Sequence, residues 1–329
     1  MKKSLLPLFV AFLLISCNEG GSQKQRYVSE SSGNINNLSV IVDNILWEDT
    51  VGEAIRNVLA APLEGLPQDE PIFSLSQMPT QVFTGFATKN RTVLKIEKDK
   101  LAATAILNDV YAKPQTVVVV SGKTNAEIID QVNTNAEKIV AAFKKTEIKE
   151  QQRRIALSLF DDTPLKENLG ISLKFPTAYR IAKKEDHFFW IRKDIKTGIG
   201  AGTMDILVYQ VALNAIRKGD SAVTDIVRLR DSIGEKYIEG RLEGTYLATE
   251  KAYAPYIFET IIDNKPTLET KGIWDVKNDF MSGPFINYAI EDKVNNRYVV
   301  IEGYVFAPSV EKRDYTFELE AIIRSVKFK

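Results

Sequence analysis

"VVVVSGKTNAEIIDQV", residues 117–132, joins a strand directly to a helix. Val117 to Val120 are consecutive β-branched residues, a run suited to a strand covered on both faces. Ser121 and Gly122 turn the chain, and Ile128 and Val132 begin an apolar stripe at helical spacing. Sheet and helix are therefore expected to pack together. Gly122-Lys123-Thr124 also raises the question of a nucleotide. A phosphate loop needs another glycine five residues before Gly122, and that position is Val117, inside the strand. Thr124 with Glu127 instead forms T-x-x-E, a capping box that satisfies backbone donors at a helix start. No nucleotide is expected.

Working outward, the helical stripe continues through Ala136, Ile139 and Phe143, and Ile155 and Leu159 suggest either that it runs on or that a second helix follows. Upstream, "NLSVIVDN" reads as a strand and residues 46–65 as a helix carrying Val51, Ile55, Val58 and Leu59, ended at Pro62. "PIFSLSQMP", "RTVLKIEKD" and "TAILNDVY" read as extended. "FDDTPLKENLG" interrupts the pattern with Pro164 and Gly170, and Asp161-Asp162 there is turn and capping chemistry. The boundary between two domains is placed at this break, giving 36–163 and 164–329.

Beyond it come a strand, an aromatic hairpin around His187, the strand "MDILVYQVAL" and a helix over residues 221–238. "PYIFETIID", "KGIWDVKND", a hairpin turning at Asn295-Asn296 and a final helix bearing Tyr315, Leu319, Ile322 and Ile323 complete the chain. The fold class expected is α+β: two sandwich-like units with mainly antiparallel sheets packed by helices.

The chain opens "MKKSLLPLFVAFLLISC". Lys2 and Lys3 precede an apolar run too short to span a bilayer, the pattern of a signal peptide over residues 1–17. Leu14-Ile15-Ser16-Cys17 resembles the lipobox of bacterial lipoproteins, which implies that Cys17 carries palmitate-type acyl chains and becomes the mature N-terminus. Several chains anchor stably where one does not. Residues 18–35, polar and rich in Gly, Ser and Asn, read as a flexible tether.

Lys plus Arg and Asp plus Glu each number 43, so the net charge is zero, and no basic stripe marks a nucleic-acid partner. The chain has one histidine, His187, and one cysteine, Cys17. That scarcity argues against a zinc site and against a His-based triad. No metal or cofactor is expected.

Two features remain as candidate binding elements. "KTGIGAGTMD" precedes a strand and not a helix, so it lacks the dinucleotide context; Gly198, Gly200 and Gly202 read as a mobile loop able to touch a ligand or partner. Aromatic residues concentrate in the second half, and Trp190 and Trp274 are the candidates for a face on which sugar rings stack.

The stretches "SGNINNLSVIVDN", "LWEDTVGEAIR", "LPQDEPIFSLSQMP" and "NLGISLKFPTAYRIAKK" resemble an uncharacterised Bacteroidetes lipoprotein family classed as a domain of unknown function. "GISLKFPTAYRI", the central helix and the ending "IIRSVKF" are similar to the Mog1/PsbP-like α/β/α fold, whose members are mostly accessory and binding proteins. The lipoprotein family brings no known activity with it; the anchor, the tether, the accessory-type fold pattern and the shortage of catalytic side chains together point to a membrane-anchored cell-envelope lipoprotein that binds or supports an envelope protein or glycan without catalysis. The alternatives are a carboxylate-dependent hydrolase of an envelope polymer and a glycan or small-molecule binder. With only Glu19 acidic soon after Cys17, the expected location is the outer membrane facing the periplasm, with surface exposure as the other possibility.

Overall fold

A computed structural model describes residues 28–198 and 200–329. The signal sequence, Cys17 and residues 18–27 of the expected tether lie outside the described residues. Residues 28–35 do not behave as a tether. Ser29–Glu30 pairs in parallel with Ala112–Lys113, and the Gly33 and Asn34 carbonyls accept hydrogen bonds from Arg91.

The first half is built on β1 (Asn37–Ile41), α1 (Thr50–Leu59), β2 (Ser74–Met78), β3 (Thr92–Lys98), β4 (Ala103–Asn108), β5 (Thr116–Gly122), α2 (Asn125–Thr134) and α3 (Ala136–Ile155). Its five-stranded sheet has the order β2-β1-β3-β5-β4. The β1–β2, β1–β3 and β3–β5 pairings are parallel, and only edge strand β4 runs antiparallel. This half therefore departs from the antiparallel expectation. The connection lengths carry the reason: strands joined by long crossovers pair in parallel, while the short 109–115 link allows a hairpin.

Alternate residues face opposite sides of a strand. Leu38, Val40, Leu94, Val118 and Val120 pack on α1–α3 through Val51, Ile55, Ile128 and Phe143. Ile41, Val93 and Val117 face the other side, under Phe83. The Thr124 hydroxyl accepts from Glu127 N at 3.2 Å, and Glu127 reaches back to Lys123 N at 2.6 Å. The capping box is present, shifted by one residue on its return arm. The stripe read as one helix is two, broken at Asn135, whose side-chain amide turns back to the Gln131 carbonyl.

The second half contains α4 (Thr163–Leu169), β6 (Arg180–Glu185), β7 (Phe188–Thr197), β8 (Gly200–Ala212), α5 (Ser221–Tyr237), β9 (Leu247–Thr249), β10 (Tyr256–Ile262), β11 (Lys265–Val276), β12 (Ser282–Asp292), β13 (Arg297–Phe306) and α6 (Arg313–Ile323). The expected break at 160–170 is in part a helix, with Pro164 in its first turn and Gly170 left-handed at its end. Its eight-stranded sheet runs β9-β11-β12-β13-β8-β7-β6, with β10 on the same edge of β11 as β9, and every pairing is antiparallel. The α+β class with mostly antiparallel pairing holds for the chain as a whole.

Both faces of this sheet are covered. Phe188, Leu207, Trp274, Phe285 and Tyr304 face α5. Phe189, Ile206, Tyr288, Ile301 and Val305 face α4 and α6. Ile148 and Ile155 of α3 also sit in this second core, while Ile139 and Phe143 of the same helix sit in the first. One helix thus serves both interiors. No helix among the described residues is long and apolar enough to cross a membrane.

Candidate functional site

The two halves meet around the start of α6. The Glu70 carboxylate accepts from Lys312 N at 2.8 Å and from Arg313 N at 2.7 Å, an acid from the first half satisfying backbone donors at a helix start in the second. Arg313 donates in return to the Pro71 carbonyl and the Ser74 hydroxyl, each at 3.0 Å.

Beside this junction lies a cleft of about 700 Å³. Val58, Pro62, Leu63 and Ile72 with Val140 of α3 form one wall, and Phe258, Ile286 and Phe317 form the other. Gly65, at φ 82°, closes one end; a Cβ there would lie 2.7 Å from the Cβ of Lys271. A side chain would be excluded by both contact and conformation.

Charges gather at one end of this apolar space. Lys144 meets Glu320 at 2.9 Å, Arg324 meets Glu320 at 2.6 Å and Glu269 at 3.2 Å, and Lys271 meets Glu269 at 3.2 Å. Burial opposes ionisation of Glu320, but Lys144 and Arg324 outweigh it and hold the carboxyl below its ordinary range. Lys271 also lies over the Phe258 ring, 5.0 Å from its centre.

The residues singled out from sequence lie elsewhere. Trp190 and Trp274 do line one cavity, of about 250 Å³, with Arg192, Asp205, Tyr304 and Phe306. They do not form an open face. Trp274 is buried, donates its indole N–H to the Val305 carbonyl at 3.1 Å, and meets Tyr304 and Phe306 edge-on. Trp190 is half-buried and donates to Asp205 at 2.7 Å. Burial pushes the Asp205 carboxyl up to about 6, with Arg192 standing off at 3.8 Å.

Gly198 is in the turn between β7 and β8, but Gly200 and Gly202 are strand residues and not a loop. A Cβ on Gly202 would overlap the Phe306 carbonyl on the neighbouring strand, so this glycine permits close strand approach. None of the three lines the cleft. His187 sits in the β6–β7 turn at φ 55°.

Ligand sites usually enclose about 300–1,000 Å³, favour junctions between domains, and combine apolar walls with a few polar groups. The cleft meets all three conditions, and the aromatic cavity falls below the size range. A second large cavity, of about 800 Å³, lies across β10 and is lined by Lys218, Lys293, Glu291 and the apolar Ile257 and Ile261. It draws on the second half alone. Sequence reasoning missed the cleft because Lys144, Lys271 and Glu320 are far apart in the chain and each sits in an ordinary amphipathic element. The short "APLEGLP" turn was the one local signal.

Residues 158–325 match the family model described as Domain of unknown function (DUF4837), and residues 31–156 match Domain of unknown function (DUF8532). No curated protein matches the chain. Among solved structures, one similar chain is described as LpqN, involved in cell envelope biogenesis of Mycobacterium tuberculosis, at 9% identity and a TM-score of 0.29, covering 48% of this chain and 83% of that one. Another, from Bacteroides thetaiotaomicron, is 9% identical with a TM-score of 0.27, covering 49% of this chain and 45% of its own.

Proposed function

The chain belongs to the DUF4837 family, and on that premise we propose that it is a non-catalytic binding or accessory protein of the cell envelope, moored by lipid at Cys17, whose ligand occupies the cleft between its halves. The cleft carries the reading: about 700 Å³ of mainly apolar space walled by both halves. The sequence pattern at Cys17 supports the anchor and the periplasmic face of the outer membrane.

A photo-crosslinking residue in place of Val140, activated in intact cells, tests the cleft. It should capture an envelope component that the same residue at exposed Leu157 does not. Equal capture at both positions, or at neither, counts against the cleft. Incorporation of labelled palmitate in the natural chain, and its absence in Cys17→Ser, tests the anchor.

The aromatic cavity favours a second reading, recognition of a sugar or carboxylate-dependent cleavage of an envelope polymer. Asp205, pushed up to about 6 between Trp190 and Arg192, is its support. Cleavage of such a polymer by the purified protein, lost in Asp205→Asn, would establish this reading over the first.

A further inference from the structure

Resting on that reading of the cleft, we infer that its ligand is an amphiphile with an anionic head, a carboxylate or a phosphate, held between Lys144 and Lys271. The charged groups form an open string that alternates in sign: Lys144, Glu320, Arg324, Glu269, Lys271. Three cations face two anions along it, and the surplus positive charge falls at the two ends. Both end residues line the cleft, with side-chain exposures of 28% for Lys144 and 13% for Lys271. Each has one carboxylate partner within ion-pair distance among the described residues, and an ammonium has three donors to place.

An anion touching both lysines closes the string into a ring of three cations and three anions. A neutral head leaves the surplus uncompensated. Glu64 and Glu137 also line the cleft, but both are exposed, where water screens them more than the half-buried lysines. The remaining walls offer carbon to an apolar tail.

The test uses the full chain bearing Cys17→Ser, so that no acyl chain is attached, in detergent-free buffer. Dodecanoate, dodecyl phosphate, dodecanol and inorganic phosphate are titrated calorimetrically. At least one of the two anionic amphiphiles should bind ten-fold or more tightly than dodecanol, and the preferred one identifies the head. Inorganic phosphate alone should bind far more weakly. Lys144→Gln with Lys271→Gln should remove the preference for the anion while leaving dodecanol binding in place.

If dodecanol binds as well as the anions, or the double substitution leaves the preference intact, the head-group inference is overturned while the cleft reading stands. If inorganic phosphate binds as tightly as dodecyl phosphate, the amphiphile is overturned. Ala141→Trp, at an exposed position lining the cleft, separates the two readings. Loss of all amphiphile binding in it places the ligand in the cleft, and unchanged binding moves the site elsewhere and ends both. The ligand series on the unsubstituted lysines decides the inference even where a lysine variant fails to fold.

Discussion

Arg91 with Glu147 and Arg230 with Glu302 are buried pairs, one in each half, and they hold different things. Arg91 meets Glu147 through two hydrogen bonds, at 2.8 and 3.0 Å, and also donates to the Gly33 and Asn34 carbonyls; Glu147 accepts from Asn36 N. Arg230 meets Glu302 at 2.9 Å, but its other bond goes to the Thr249 hydroxyl, its Nη2 has no hydrogen-bond partner, and its guanidinium lies 4.0 Å from the Phe285 ring centre. The first pair also holds main chain: the amide of buried Asn36 has Glu147 as its acceptor, while the carbonyl of exposed Gly33 accepts from Arg154 as well. The second joins side chains only, pegging α5 to the sheet. The same pair of residue types therefore ties down main chain in one place and side chains in the other.

The largest effect should come from halving the first pair. Glu147→Ala takes the close carboxylate from a buried guanidinium and leaves it only Glu150, at 3.8 Å, and such losses typically cost about 3–5 kcal/mol; urea denaturation measures it, and a loss under about 1 kcal/mol would contradict the role assigned. Replacing both members, Arg91→Met with Glu147→Leu, should still destabilise, because the amide of buried Asn36 loses its acceptor, at about 1–3 kcal/mol for a group left buried and unpaired.

Asp205 extends the contrast to an acid whose cation, Arg192, stands off at 3.8 Å. Burial raises its carboxyl to about 6, so the folded state holds a proton that the unfolded chain releases near pH 4. Stability should then fall as pH rises from about 4 to about 6, by up to about 3 kcal/mol from this group at about 1.4 kcal/mol per unit. Asp205→Asn should flatten that segment of a stability–pH curve relative to the natural chain. An unchanged slope would show that the carboxyl ionises in the fold as it does in water.

Glu70→Ala removes a cap from α6 and should cost about 0.5–2 kcal/mol, with hydrogen exchange quickened first at the amides of residues 312 and 313. The smallest loss is expected for Arg230→Met with Glu302→Leu and Asn287→Leu, the third change removing the buried amide that donates to Glu302 at 2.9 Å. Buried pairs replaced by apolar residues are often neutral or stabilised by about 1–4 kcal/mol. A loss comparable to that of the Arg91 double variant would erase the distinction between the two pairs.

Most secondary structure was legible because it follows from local periodicity. The Val117–Val120 strand, the Thr124 helix start and the Asn295-Asn296 hairpin all occur where side-chain spacing and turn chemistry put them. Strand direction in the first half was not legible, since a short apolar run reads alike in either orientation. Asn135 splits a stripe whose apolar spacing continues unbroken across it, so the break is invisible in the spacing alone. The site was less readable still. Trp190 and Trp274, on strands with three others between them in the sheet, line one cavity, yet burial leaves no open face of the kind expected. Lys144, Lys271 and Glu320 meet through tertiary contacts between the halves, and no window of sequence contains them together.

The helix shared by the two interiors has a consequence for how the chain is made. A nascent protein emerges from its N-terminus, so Ile148 and Ile155 are synthesised before any of the strands that will enclose them. Until those strands follow, the far end of that helix presents bare hydrocarbon to its surroundings. A chaperone shielding that segment would guard the newborn polypeptide against aggregation until the later strands arrive.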